Sequence, residues 1–444
     1  MSRIVENPHG NCSLGGANAV FSAIRRVIPI YHSGPGCCLQ NTAGEPSQGS
    51  LRLPYYAQYT ALPCTNMLEK EVIFGGEEKL RQEIEGALEI YDADAFFVLS
   101  GCTSGIISDD IAGVARAFRD RGEPVYAVEA AGFLGESYRG YEIAMDALLR
   151  DIVGSAPAKK ESGYADGMAD GKADGHADNT VNLFGIVPYH DPYWEGNCEE
   201  LVRLLEKLGL KANTWFSHEQ GIGDIQKSSR ASLNIIVHPW LLRDFAQEFE
   251  SRFGVPPLRF EGAPLGATDS GEFIRAVAER TGRKELGEKV IEEEERYFYR
   301  YLETGIGLQS WRRFAVVGES ANVIPITRFL ANDYSFTPDA AIITDFVFRD
   351  EDRQRITEKL TCLEGPFKPV LFWTGDQWEI NQALERFPEL SLVIGSTNEG
   401  EFAGKRFLKH VIACYPNTER LIYNRSCCGY RGALTFMEDI YSNL

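Results

Sequence analysis

The chain has 444 residues, long for one ordinary core and suited to about three domains at a prior of roughly 150 residues each. Its 45 basic and 64 acidic residues leave a formal charge of −19, which argues against a nucleic-acid or anionic-membrane surface. No run approaches the roughly 18 apolar residues of a membrane span and Met1 to Asn11 hold no apolar signal core, so a soluble, cytoplasmic protein is expected, with neither nucleic acid nor membrane as partner.

Asn7-Pro8-His9-Gly10-Asn11-Cys12 is a turn-rich entry to a helix expected over Ser13 to Val27, where Ala17, Val20, Phe21, Ile24 and Val27 recur at intervals of three and four and Pro29 would stop it. Cys12 then stands at or just before a helix start, whose partial positive charge favours a thiolate. The apolar run Val27 to Tyr31 delivers a second cysteine in His32-Ser33-Gly34-Pro35-Gly36-Cys37. Glu69 to Tyr91 holds a helix entered through Phe74-Gly75-Gly76, Ala93 to Ser100 reads as a buried strand, and the loop after it carries Cys102. Asp109 to Arg121 is expected to be helical and Pro124 to Val128 a short strand. Ten cysteines in this composition point away from a disulfide framework, leaving metal or cluster ligation for some and burial for the rest. Cys12, Cys37 and Cys102, each beside glycine or a turn residue, read as three loops around an iron–sulfur cluster, where glycine lets backbone N–H groups approach sulfide.

Tyr164 to Asn179 is a tandem four-residue repeat around Ala-Asp-Gly, too poor in apolar residues to offset ordering entropy, and reads as a flexible surface loop; a calcium site on its aspartates has no matching repeat length. A second α/β unit follows, with strands at Val181 to Val187, Leu233 to Val237 and Val255 to Leu258 and helices at Cys198 to Leu208, Trp240 to Phe253 and Ser270 to Thr281. Glu285 to Tyr301 is a charged helix leading to a third unit with strands at Arg313 to Val317, Ala340 to Thr344, Val370 to Trp373 and Leu392 to Ile394. The expected architecture is α/β, with three doubly wound, Rossmann-like domains on parallel sheets: residues 1–155 with the cluster cysteines, 156–180 as the repeat loop, then 181–308 and 309–444.

Several residues keep two readings. Cys38 competes with Cys37 as ligand, and Cys64 sits in a loop near the cluster segment. Cys198, Cys362 and Cys414 read as core or surface thiols, and Cys427-Cys428 as a packed turn, or as a redox pair if Arg425 and Arg431 lower a thiol pKa. His32 either supports the cluster loop by hydrogen bonding or simply packs; His238 reads as a satisfied core histidine, and Asp109 and Asp110 as helix N-terminal acids.

The order Asn7-Pro8…Cys12, His32 to Cys37, Val72-Ile73-Phe74-Gly75-Gly76 and Cys102 with Ile107-Ser108-Asp109-Asp110 resembles the nitrogenase component 1 family, as does the spacing of 25 residues between the first two cysteines. Ser232-Leu233-Asn234, Ala263 to Asp269 with Phe273, Gly395-Ser396 and Ser426 to Gly432 resemble its β-type chain. The resemblance implies that Cys12, Cys37 and Cys102 bind a P-cluster of the 8Fe-7S type, or a 4Fe-4S cluster, shared with an α-type catalytic subunit in an α2β2 heterotetramer. It also implies an ATP-hydrolysing homodimeric iron protein as electron donor, docking near Phe74. Departures from the family are equally legible: its cluster-binding serine falls on Gly132, and its cofactor-ligand positions fall on Val237-His238-Pro239 and Asn424 to Cys428. The loop Leu39 to Gln58 also differs from nitrogenase proper, so a nitrogenase-like reductase is expected, most like methylthio-alkane reductase and ahead of the tetrapyrrole reductases. The function so implied is electron transfer in an anaerobic oxidoreductase complex acting on a small substrate; a metallocluster assembly scaffold is the alternative.

Overall fold

Burial on both faces selects the strands. Val27–His32 (β1) and Ala95–Ser100 (β2) are buried at every position, the continuous apolar run of a parallel sheet covered by helices on both sides. A computed structural model describes residues 6–44, 62–155, 179–217, 219–305 and 312–442; the four-residue repeat, apart from Asn179, and most of the loop from Leu39 to Gln58 lie outside the described residues. Among the described residues, β1, β2 and β3 (Val125–Val128) form one sheet in that order. A second sheet takes β4 (Thr180–Phe184), β5 (Lys211–Asn213), β6 (Asn234–Val237) and β7 (Pro257–Phe260) in the order β5-β4-β6-β7. The third takes β8 (Arg313–Gly318), β9 (Thr337–Ile343), β10 (Val370–Trp373), β11 (Leu392–Gly395) and β12 (Lys409–Ile412) in the order β10-β9-β8-β11-β12. Every strand pairing is parallel. The expected α/β class with three parallel sheets is therefore what the chain adopts.

Several element boundaries differ from the sequence reading. The first helix ends at Ser22 rather than Val27, because Arg26 turns the chain with φ 61° and its carbonyl accepts from Asp94 N at 2.7 Å, so that Val27 can pair with Ala95. Pro29 does not stop that helix; it lies within β1, an edge strand, where a missing N–H is tolerated. The expected helix over Glu69 to Tyr91 is two, Glu69–Phe74 and Glu77–Ile90, broken where Gly75 takes φ 90°.

An unanticipated helix, Ser137–Asp151, packs against Ser13–Ser22, which is buried over its whole length. Two glycines set that approach. A Cβ on Gly16 would lie 1.8 Å from the Ser137 carbonyl oxygen, and one on Gly140 would lie 1.9 Å from that of Ser13. The N-terminal segment is tied to the third sheet: Gln377 N donates to Glu6 O at 3.0 Å, His9 Nε2 donates to Gln377 Oε1 at 2.7 Å, and Asn398 Nδ2 donates to Asn7 O at 3.3 Å. No described helix is long and apolar enough to cross a membrane.

Candidate functional site

In the register of β1 and β2, His32 lies opposite Ser100, so the loops leaving both strands open at one edge. Gly101 N donates to His32 O at 3.0 Å and Ser104 Oγ to the same oxygen at 2.6 Å, fixing one loop on the other. A Cβ on Gly101 would come 2.2 Å from Ser33 Oγ, so only glycine fits there. Cys37 follows in the helix Pro35–Gly44 and Cys102 opens the helix Cys102–Ile107. Cys12 is the N-cap of Ser13–Ser22 and is bridged to Glu136, while Ser13 N donates to Gly135 O at 2.9 Å.

The turn between Ala131 and Gly135 brings two of these thiols together. A methyl group at Gly132 would sit 3.0 Å from Cys102 Sγ and 3.3 Å from Cys12 Sγ, so both converge on this one glycine from distant parts of the chain. All three cysteines are half-buried. Among the described residues no three His, Cys, Asp or Glu side chains are placed to hold one metal ion. The thiols of Cys12 and Cys102, at two helix starts and facing a position without a side chain, could hold part of an iron–sulfur cluster.

His32 and Asp109 have structural partners that explain the Phe-Gly-Gly turn. His32 Nε2 bonds Asp109 Oδ2 at 2.9 Å and its Nδ1 lies 3.2 Å from Thr65 Oγ1. Asp109 also accepts from Gly76 N at 3.1 Å, and a Cβ on Gly76 would press on Asp109, His32 and Met67. Burial holds the His32 pKa below its ordinary value, with Asp109 opposing only in part. Asp109 is thus a cross-link rather than a helix cap; Asp110 is the cap, accepting from Gly113 N at 2.8 Å.

Apolar side chains are exposed on the elements that carry and neighbour the cysteine edge. Leu39, Leu68, Ile73, Ile106, Phe133 and Phe74, the last 80% exposed, project from the helices and turn just described. Helix Glu69–Phe74 contacts helix Cys102–Ile107, and Phe133 lies against Gly105. Exposed apolar side chains gathered in one place mark an interaction surface.

A second constellation lies inside the molecule, where all three sheets' loops meet. Tyr138, His190, Asp191, His238, Glu319 and Asn322 line a cavity of about 20 Å³, room for a water molecule. His238 is only half satisfied: Nδ1 accepts from Trp240 N (3.4 Å) and Leu241 N (3.2 Å), which leaves the proton on Nε2, and Nε2 has no partner. Glu319 Oε1 and both His190 nitrogens also lack hydrogen bonds. Burial pushes the Glu319 carboxyl up to about 8 despite Tyr138 donating to it, and pushes His190 down to about 4. Sequence reasoning missed this site, since its residues are isolated in the chain; the Gly185 to Asp191 loop after β4 was the available signal.

Cys428 is buried and Cys427 half-buried before the last helix, and desolvation raises both thiol pKa values. Arg425 does not activate them: it pairs with Asp439 at 2.9 Å, while Arg431 lies over the Tyr297 ring. Cys198 and Cys414 are buried and Cys362 is exposed.

A sequence profile of the nitrogenase component 1 type oxidoreductases matches residues 12–444. The chain belongs to this family. Among its relatives, the nitrogenase iron-molybdenum cofactor biosynthesis protein NifE of Methanococcus maripaludis is 27% identical over 280 residues, 62% of this chain and 52% of that one. NifE of Nostoc sp. is 30% identical over 292 residues, 64% of this chain and 55% of the relative. The nitrogenase molybdenum-iron protein alpha chain of Methanothermobacter marburgensis is 27% identical over 293 residues, 64% of this chain and 58% of the relative. The matched region thus spans about half the length of these curated relatives. The solved structure titled "Nitrogenase Cp1 at pH 6.5" superposes with a TM-score of 0.76 at 18% identity, covering 99% of this chain and 93% of that one, and shares the fold. These nitrogenase component 1 relatives are cofactor-biosynthesis and α chains, whereas the sequence motifs had suggested the β type.

Proposed function

We propose that this nitrogenase component 1 family chain is one half of a two-chain metallocluster scaffold, with Cys12, Cys37 and Cys102 holding its share of an iron–sulfur cluster at the interface with a partner chain. The observation that carries this reading is the convergence of Cys12 and Cys102 on Gly132 beside an exposed apolar rim. A thiolate edge with unfilled coordination, flanked by apolar side chains, is suited to a partner that completes both at once. The cluster, when bound, supplies one-electron chemistry. The chain's own part is to aim helix-start N–H groups at it, to keep water away with the rim, and to hold the loops through Gly101, Ser104 and His32.

Assembly rather than turnover is supported by the relatives, which include cofactor-biosynthesis proteins. The second reading, an electron-transfer subunit of a nitrogenase-like reductase in an α2β2 complex, draws on the α-chain relative and on Phe74, exposed just before Gly75-Gly76 as a docking contact for an iron protein. In that reading a methylthio-alkane is the favoured substrate class.

One experiment separates the two. The chain is co-expressed anaerobically with its genomic partner, and the complex is assayed for iron, for its EPR signal, for transfer of a metallocluster to an apo acceptor, and for ATP-dependent reduction of small substrates with an iron protein. Transfer without turnover establishes the scaffold. Turnover establishes the reductase, and a complex without iron would refute both.

A further inference from the structure

The positions at which the family would hold a cofactor, Val237-His238-Pro239 and Asn424 to Cys428, meet the interior cavity only in part. Val237 and His238 line it, and Pro239 has no side-chain donor. Among the described residues no cysteine lines it. The segment Asn424 to Cys428 is held elsewhere, against the helix Trp194–Lys207. A Cβ on Gly196 would lie 2.2 Å from Arg425 O and 2.6 Å from Asn424 O, Cys427 N donates to Asn197 Oδ1 at 2.7 Å, and Cys428 Sγ donates to Asn197 O at 3.6 Å.

Close backbone contact holds the cavity walls together. A Cβ on Gly185 would lie 3.0 Å from Val237 N and 3.1 Å from His238 Cβ, and one on Gly262 would lie 2.6 Å from Ala321 O, so the chain leaving β4, β6, β7 and β8 meets here without intervening side chains. Asp345 clamps the same junction, accepting from Trp240 Nε1 at 2.6 Å, Ser320 N at 2.7 Å and Ser320 Oγ at 2.6 Å. A four-iron, four-sulfide cube has eight heavy atoms, whereas this cavity of about 20 Å³ has room for a single water. Its unpaired atoms are His238 Nε2, Glu319 Oε1 and the His190 nitrogens, on side chains that are almost wholly buried.

We propose that this interior site binds one water molecule between His238, Glu319 and His190 and is closed to a metallocluster, so that the cargo of the two-chain scaffold is seated in the partner chain. The water accepts from His238 Nε2–H, donates to Glu319 Oε1 and makes its third bond to a His190 nitrogen, about the usual number for a buried water. It supplies the hydrogen bonds that burial otherwise denies these groups. The partner's share in this rests on the scaffold reading above, whereas the water site stands on this chain's own geometry.

Crystals of the anaerobically purified complex that transfers a metallocluster to an apo acceptor, with diffraction recorded on both sides of the iron absorption edge, test this. One water peak within hydrogen-bond distance of His238 Nε2 and Glu319 Oε1 is expected, with iron at the cysteine edge and in the partner chain and none in the cavity. Iron in the cavity overturns the proposal, and a dry cavity overturns the water site. Iron at the cysteine edge alone overturns the seating of the cargo in the partner. Water in the cavity with no iron at the cysteine edge instead refutes the scaffold reading and leaves the water site in place. In solution, His238→Gln and Glu319→Gln, which keep the cavity polar, should leave the iron count per complex unchanged. Loss of the transferable metal from either variant, with the interface EPR signal intact, would place the cargo in this chain.

Discussion

Tyr415 stacks on His190 with ring centroids 4.5 Å apart and planes 19° apart, beside the cavity that His190 lines. His190 in turn faces Tyr138 at 5.8 Å between ring centroids. The imidazole is thus packed between two phenol rings, and its burial there holds it neutral.

Replacing Cys12, Cys37 or Cys102 by alanine should remove cluster iron and the partner chain together, because the same thiolates serve both. Iron analysis and size-exclusion chromatography of the co-expressed complex check this. Full iron in all three variants would show that the ligands lie elsewhere.

Gly132→Ala tests the space between the thiols. Its methyl group would press on Cys102 Sγ at 3.0 Å and Cys12 Sγ at 3.3 Å, so the cluster's EPR signal should broaden or vanish. The fold should lose only the about 1–3 kcal/mol of an overpacked site. An unchanged signal would place the cluster away from this turn.

The interior cavity makes stability depend on pH in two directions. Glu319, with its folded pKa raised to about 8 from 4.5, favours the protonated fold, so stability falls as pH rises from about 4.5 to about 8. His190, lowered to about 4 from 6.5, acts oppositely: stability falls as pH drops from about 6.5 to about 4. Glu319→Gln keeps a neutral acceptor for Tyr138 and should stabilise the fold at pH 8 to 9 by an amount on the order of a few kcal/mol, seen as a higher melting temperature, with little gain at pH 5. An equal change at both pH values would mean that ionisation of this carboxyl is not the cause.

Phe74→Asp changes only an exposed position, so melting temperature and iron should hold to within about 0.5 kcal/mol of stability. Association with an iron protein, measured by sedimentation or by donor-dependent ATP hydrolysis, should weaken at least tenfold. Unaltered association would move the docking face elsewhere on the complex.

The parallel sheets were legible in the sequence because β1, β2, β6, β8 and β11 are apolar runs that end in small residues or turns. β12, Lys409–Ile412, was not, since it is a short edge strand with a charged start. Helix Ser137–Asp151 escaped notice although its apolar face is regular; Gly140, which suggests a break, instead permits contact with Ser13–Ser22. Cys12 and Cys102 could be named from glycine and helix-start chemistry, but their convergence on Gly132 depends on the packing of segments far apart in sequence. The cavity residues carry little local signature beyond the Gly185 to Asp191 loop after β4. Their chemistry comes from burial, which only the folded arrangement reveals.

The tether of Glu6, Asn7 and His9 to Gln377 and Asn398 bears on how the protein is made. The segment that leads into Cys12 is held by residues 368 and 391 positions further along the chain. Until Asn398 has been synthesised these anchors are missing, so Glu6 to His9 gain their full tether only then.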